Sequence, residues 1–440
     1  MIRLPPDLPD RVLAANEVHA RPFDPAATPS RASYLAVLVD APQRAAELAH
    51  LGRLCERYGE VPPAEGITQF ALRFGTNQLK WERHGEFSTY IVSTPGEGTR
   101  PFSEPAIEQL PQEWLAAVPG QTIIAANAAL VPAPAGGLDR DLDALLATCF
   151  GDATVVGSAI GDGAGAAFTD FRLQPDGFQR FLLIDGQLTA SQSGRMLQRL
   201  FEIEAYRVLA LLSLPIARRV SPGVVRIEQE LVTLTEEIAR EERADETLLG
   251  ELTALAARVE NALAATQFRF GASRAYFDLV RSRIAELREQ RLPGLQTIDE
   301  FMARRLSPAM ATCASLTSRL QELSQRVNRT SNLLSTRVNI VRERQNQALL
   351  ASMDRRARLQ LRLQQTVEGL SVVAISYYMV GLVHYLALGV TTAGLPVRPE
   401  LLTGLAVPVV ALGVALTVRW VRVKAVGHAP TRDEPRPGAG

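Results

Sequence analysis

No side chain between Glu368 and Arg398 carries a fixed charge, and the run from Gly369 to Val397 is 29 residues long. A helix needs roughly 20 apolar residues to cross a bilayer. A second run without charge, Leu401 to Val418, adds 18 residues. Between the two lies "TTAGLPVRPE", with Gly394 and Pro396 as helix breakers. Two such runs joined by a short polar turn define a helical hairpin across a membrane, where each helix satisfies its own backbone. The competing arrangement is a pair of core helices in a water-soluble fold, which seldom stay free of charge over such lengths.

Arginine placement orients the hairpin. Arg355, Arg356, Arg358 and Arg362 precede the first run, and Arg419, Arg422 and Lys424 follow the second. The turn holds only Arg398, offset by Glu400. Both ends are therefore expected in the cytoplasm of a bacterial cell, with a multi-pass protein in its inner membrane. The opening "MIRLPPDLPDRV" has no apolar stretch and does not read as a signal peptide.

Hydrophobic residues make up 47% of the chain, which fits a folded protein. The formal net charge is zero, so nothing global points to a nucleic-acid partner. Cys55, Cys149 and Cys313 are too few and too widely spaced for a disulfide framework or a zinc cluster.

Residues 1–32 read as a loop segment containing six prolines. Residues 33–190 read as an α+β or α/β domain. "SYLAVLV" suits a buried strand, 43–58 a helix, and "TQFALRF", "QLKWERH" and "EFSTYIVST" three further strands, with a helix near 104–118. The order then recurs: a strand at 122–131, a helix at 139–150, strands in "ATVVGSAI", "GAAFTDFRL" and "FQRFLLI", and a helix from near Ser191. This gives two β-α-β-β-β-α halves. Residues 191–306 form a helical region, expected to break once at Pro215 and Pro222 and again at Gly271.

Residues 307–366 form a stalk helix. Leu316, Leu320, Leu323, Val327, Leu334 and Val341 follow a coiled-coil-like spacing that weakens at "RERQNQ". Such a helix needs partners, either from residues 192–291 or from other copies of the chain. The first span is placed at 367–390, the external turn at 391–400, the second span at 401–418 and a tail, basic and then disordered, at 419–440.

This layout, over residues 300–425, resembles the CorA-type metal-ion transporter superfamily. The resemblance implies five copies around a pore lined by the first span, with a cation as cargo. That superfamily ends its first span in Gly-Met-Asn; here "LALGVTTAG" has Gly389 followed by Val390 and Thr391. A second resemblance rests on "NEVHARPF" (16–23), "LKWERHGEFSTYIV" (79–92) and "SMDRRARLQLRLQQTVEGLSVVAISYYMVGL" (352–382). These segments are similar to an uncharacterised bacterial family described as membrane-anchored, which implies a topology and no mechanism.

On a helical wheel Gly369, Ser376, Tyr377, His384, Ala387 and Thr391 fall within about 100° of one another. Polar groups in a bilayer face protein or water. Two readings follow: an ion path with His384 as its titratable constriction, or dry packing between spans. In "WERHGE", strand alternation sets Glu82, His84 and Glu86 on one face unless Gly85 turns the chain. Glu17 and His19 in "NEVHARP" form a second polar cluster. Either group is a candidate for metal or acid–base chemistry, and either is also what a solvated strand end or loop looks like. "GDGAGA" (161–166) lacks dinucleotide spacing, and neither HExxH nor GxSxG occurs. No cofactor is expected and no enzyme is indicated. The alternatives are a CorA-like oligomeric transporter and a membrane-anchored scaffold or regulatory protein.

Overall fold

The computed structural model describes residues 5, 7–11, 23–96, 98, 100–134, 138–241, 243–392 and 398–426; the side chains of 138–141, 390–392 and 422–426 are not described. The chain divides into two compact units, residues 1–334 and 335–440.

The first unit is an α+β fold on one nine-stranded sheet. Its strands are β1 (Ser30–Leu38), β2 (Gln69–Phe74), β3 (Asn77–Arg83), β4 (Phe87–Pro95), β5 (Gln121–Pro132), β6 (Val156–Ile160), β7 (Gly165–Thr169), β8 (Gln179–Asp185) and β9 (Gln290–Arg291), in the spatial order 2-3-4-1-5-8-7-6-9. The two halves meet at the antiparallel β1–β5 pair. Each half lays its first strand beside its last, but β1–β4 is antiparallel while β5–β8 is parallel.

Alternation along the strands builds two layers of core. On one face α1 (Ala41–Tyr58) and α2 (Gln112–Ala116) cover Leu35, Val37, Leu79, Trp81, Tyr90 and Val92. Beside them α3 (Leu138–Phe150) covers Val131, Phe168, Leu182 and Ile184. The opposite face carries α4 (Ala190–Leu211), whose Leu200, Phe201, Ile203 and Leu209 pack on Tyr34, Ala126, Phe181 and Leu183. Helix starts are set locally. Asp40 and Gln43 form a capping box on α1, and Thr189 and Gln192 form one on α4, each satisfying backbone N–H groups that the first turn leaves open.

The helical region continues as α5 (Ser213–Arg240), α6 (Asp245–Leu287), α7 (Ile298–Arg305) and α8 (Ser307–Thr392). The break expected at Pro215 is present, since α4 ends at Leu211 and Pro215 lies in the first turn of α5, whereas Pro222 and Gly271 break nothing. The chain kinks at Leu212 and turns at Glu241, Pro222 lies inside α5, and α6 runs through Gly271. A proline in an amphipathic helix with a buried stripe is held by the packing of Val224, Ile227 and Leu231. In the first unit α8 contributes Met310, Cys313, Leu316, Leu320, Leu323, Val327 and Leu334 to the core shared with α5 and α6. Arg319 donates to Glu228 at 2.7 and 3.0 Å, tying α8 to α5. Part of the seam seen in the sequence is therefore covered by the chain's own helices.

The second unit holds the rest of α8 and α9 (Pro399–Val426). Beyond Val338, which is 5% exposed, α8 presents Val341, Leu349, Met353, Leu359 and Leu363 at 43–69% exposure. Among the described residues, three stretches of helix are long and apolar enough to cross a membrane: Ala190–Arg240, Ile298–Gly389 and Pro399–Val421. The first of these owes its apolar character to the core, since Leu200, Phe201 and Leu209 are 0–1% exposed against the sheet.

Candidate functional site

Strand β3 sorts its side chains by parity. Leu79 and Trp81 enter the core under α1, which leaves Lys80 and Glu82 on the α4 side of the sheet. Thr89, Ile91 and Ser93 of β4 stand beside them. Helix α4 lies over β5 and β8. A groove remains between α4 and the β3–β4 ladder, walled by Leu197, Gln198 and Phe201.

Residues 23–27 cross its mouth as a strap. The Ala26 amide donates to the Ala190 carbonyl at 2.9 Å. A Cβ on Gly194 would sit 1.9 Å from the Asp24 carbonyl oxygen, so only glycine lets the strap lie this close to α4. The Arg195 guanidinium stacks over Phe23 at 5.1 Å. The half-open space beneath it is about 210 Å³, room for several waters. An adjoining pocket of about 10 Å³, roughly one water, lies between Tyr34, Glu82, His84, Thr89, Gln198, Glu202 and Tyr206.

The groove floor is charged. Lys80 Nζ is 2.9 Å from Glu82 Oε1 and 3.9 Å from Asp24 Oδ2. The Lys80 and Glu82 side chains are 9% and 6% exposed, whereas Asp24 is 42% exposed. Two charges this deep persist because they neutralise each other. Glu82 Oε2 lies 4.0 Å from His84 Nε2, beyond hydrogen-bond length. The His84 ring stacks on Phe87 at 4.3 Å. Thr89 faces Glu82 across the ladder and is 2% exposed, and its hydroxyl has no hydrogen-bond partner among the described residues. Burial, and then the neighbouring Tyr206 and glutamates, hold the Tyr34 phenol well above its ordinary pKa. Gln198 donates to Glu202 at 2.8 Å, and Glu202 is matched by Arg199 and Arg283.

Of the residues singled out in "WERHGE", Glu82 and His84 share this pocket. Gly85 turns the chain, and Glu86 instead accepts from Arg269 of α6 at 2.6 and 2.7 Å. Glu17 and His19 lie outside the described residues. Among the described residues no group of three or more His, Cys, Asp or Glu side chains comes together to hold a metal. Lys80, Asp24 and Thr89 were not anticipated. The alternation of "QLKWE" carried a signal for Lys80, which must share a face with Glu82; Asp24 is remote in sequence and gave none.

In the second unit His384 Nδ1 lies 3.1 Å from Thr403 Oγ1 of α9. Ala387 is 5% exposed, and the Ser376 hydroxyl is buried without a partner. Tyr377 is 75% exposed, Gly369 is exposed, and the Thr391 side chain lies outside the described residues.

Behind the sheet, under α1, sits a second set of buried titratable groups. Glu47 accepts from Arg83 Nε at 3.0 Å and from Trp81 Nε1 at 3.4 Å. His50 stacks on Trp114 at 4.4 Å, and burial together with Arg53 pushes its pKa down to about 4. A histidine depressed in the fold binds its proton more readily when unfolded, so it favours folding above the ordinary value and opposes it below. Stability is therefore expected to fall as pH drops from about 6.5 towards 4, by up to about 3 kcal/mol from this group. Unfolding midpoints of wild type and His50→Gln at several pH values check this; the variant loses the slope in that window.

An α+β domain with a strap-covered polar groove, followed by two long apolar helices, is the class of protein that these features define. Over residues 6–425 the chain matches the model of a family described as "Protein of unknown function (DUF3422)", and it belongs to that family. No curated protein matches the chain.

Proposed function

We propose that this is an integral protein of a bacterial inner membrane, with a two-span hairpin that anchors a large cytoplasmic domain. The observation that carries the reading is the apolar surface of the second unit. The most apolar 18-residue stretch of Pro399–Val421 has a mean hydropathy of 2.3 with none of it buried, and Leu370, Val373, Leu405 and Val409 are 68–74% exposed. Leaving each such side chain in water forgoes about 1.5–3 kcal/mol of burial, which a lipid phase supplies. Arg355, Arg356, Arg358 and Arg362 before the hairpin and Arg419 after it support cytoplasmic ends.

The anchor reading draws on the inward polar groups. His384 bonds to Thr403 within the hairpin, and Ala387 is buried, so part of the polar stripe is spent on helix packing. Exposed leucines on α8 from Leu349 to Leu363 support association with further copies of the chain.

A second reading, a CorA-like oligomeric transporter with a cation as cargo, has its own support. Helix α8 runs unbroken from Ser307 to Thr392, linking the domain to the first span, and Tyr377 and Gly369 are exposed, where neighbouring copies in a pentamer could meet. Reconstitution separates the two. The anchor reading expects vesicles containing the chain to take up Mg²⁺ or Co²⁺ no faster than empty ones. Uptake that disappears in His384→Leu would replace it with transport.

A further inference from the structure

We propose that the cytoplasmic end of the two-helix hairpin binds acidic phospholipid. Arg362 of α8 and Arg419 of α9 hold the headgroup phosphate, and Arg422 and Lys424 add charge at the same level. The inference rests on the membrane reading above and adds to it a lipid preference.

Register places the four cations together. His384 Nδ1 meets Thr403 Oγ1 at 3.1 Å, which fixes how α8 and α9 pass each other. The half-buried faces agree with that contact: Val372, Ser376 and Val380 on α8, and Val410, Val414 and Val418 on α9. The arms of a hairpin run antiparallel, so sixteen residues from the contact along each arm lead to Glu368 and to Arg419. The α9 backbone at Arg422 and Lys424 then lies level with Gln365 and Leu363. Levels 362 to 368 span about 9 Å of helix axis, close to the depth of one headgroup layer.

Charge in this band is unbalanced. Arg362 and Arg419 are exposed, and among the described residues neither makes an ion pair. Glu368 is the one carboxylate in the band, and it accepts from Gln364 at 3.3 Å. Arg358, a turn further out, is already paired with Asp354 at 2.7 Å. Four cations against one carboxylate are balanced by an anionic headgroup and not by a zwitterionic one. A guanidinium also matches a phosphate with two parallel hydrogen bonds.

Depth is marked by a separate residue. Trp420 is 61% exposed beside Arg419, and tryptophan favours the headgroup level of a bilayer. Leu363 and Leu370, 69% and 74% exposed, offer apolar surface for acyl chains along the same stretch. Arginine stems lie along such a surface while the charged ends reach the phosphates.

Trp420 also reads out the test. Trp81 and Trp114 sit in the core of the first unit at 0% and 8% exposure, so a brominated acyl chain quenches Trp420 alone. The full chain is reconstituted into phosphatidylcholine nanodiscs with an equal minor fraction of dibrominated phosphatidylglycerol or dibrominated phosphatidylcholine. The acidic lipid is expected to associate about fivefold more strongly, or more. Arg362→Gln with Arg419→Gln should reduce that preference to about twofold or less, and lysine at both positions should retain it. Inorganic phosphate, compared with chloride at matched ionic strength, should leave the preference in place; its loss would assign the cations to soluble phosphate and overturn the proposal. Equal quenching by the two lipids, or an unchanged preference in the glutamine variant, would overturn it as well. Absence of quenching even when all the lipid is brominated would contradict the membrane reading itself, and the proposal with it.

Discussion

Aspartate placed at Ile375, Leu382, Val409 and Leu416 together strips the chain from the membrane fraction. All four side chains are 46–68% exposed on the two C-terminal helices. Moving each position from an apolar residue to aspartate costs about 3 kcal/mol of insertion free energy near a span centre, or about 12 kcal/mol for the set. In water the same exchange at an exposed position changes stability by about 0.5 kcal/mol or less. Leu173→Asp, at a residue 69% exposed in the first unit, is the matching control and leaves localisation unchanged. Alkaline carbonate extraction followed by ultracentrifugation gives the result. A quadruple variant that stays in the pellet as the wild type does would mean that these faces do not meet lipid.

Replacing Arg83 by methionine destabilises the first unit by about 3–5 kcal/mol, because it leaves a buried carboxylate without its cation. The Glu47 side chain is 0% exposed and depends on Arg83 for its charge partner. Arg83 also donates to the Arg44 carbonyl at 2.9 Å, so one residue ties β3 to α1 twice. Removing both members, as Glu47→Leu with Arg83→Met, should recover most of the loss, since the penalty belongs to the unpaired charge. Denaturant unfolding followed by the fluorescence of Trp81 and Trp114, both in this core, measures each corner of the cycle. A loss below about 1 kcal/mol in the single variant would show that water reaches Glu47.

Periodicity exposed much of the architecture. "SYLAVLV", "TQFALRF", "QLKWERH" and "EFSTYIVST" became β1 to β4, and the stalk leucines from Leu316 to Leu334 became core. The reason is physical: alternation and heptad spacing are the direct trace of burial on a strand face or helix stripe. Sheet polarity was not legible, since nothing local in "FQRFLLI" states that β8 runs parallel to β5. Of the expected helix breaks only the one at Pro215 formed, and the other two failed for a related cause. Pro222 and Gly271 are local signals that tertiary packing overrode, while the kink at Leu212 comes just before Pro215, which the first turn of α5 accommodates. At the groove, Glu82 and His84 could be paired by parity alone. Asp24 arrives through the strap, and Thr89 through the register of β3 with β4, and both are long-range facts.

Topology is the point on which the account stands most directly, and the chain is suited to measuring it. Cys55, Cys149 and Cys313 are all buried, so background thiol labelling is low. Cysteine is introduced singly at Arg358, before the first span, and at Arg398, between the spans. Intact spheroplasts are then treated with a membrane-impermeant maleimide. The account predicts labelling of Arg398→Cys from outside, and of Arg358→Cys only after the membrane is permeabilised. Labelling of Arg358→Cys in intact cells, or protection of Arg398→Cys until permeabilisation, would contradict it.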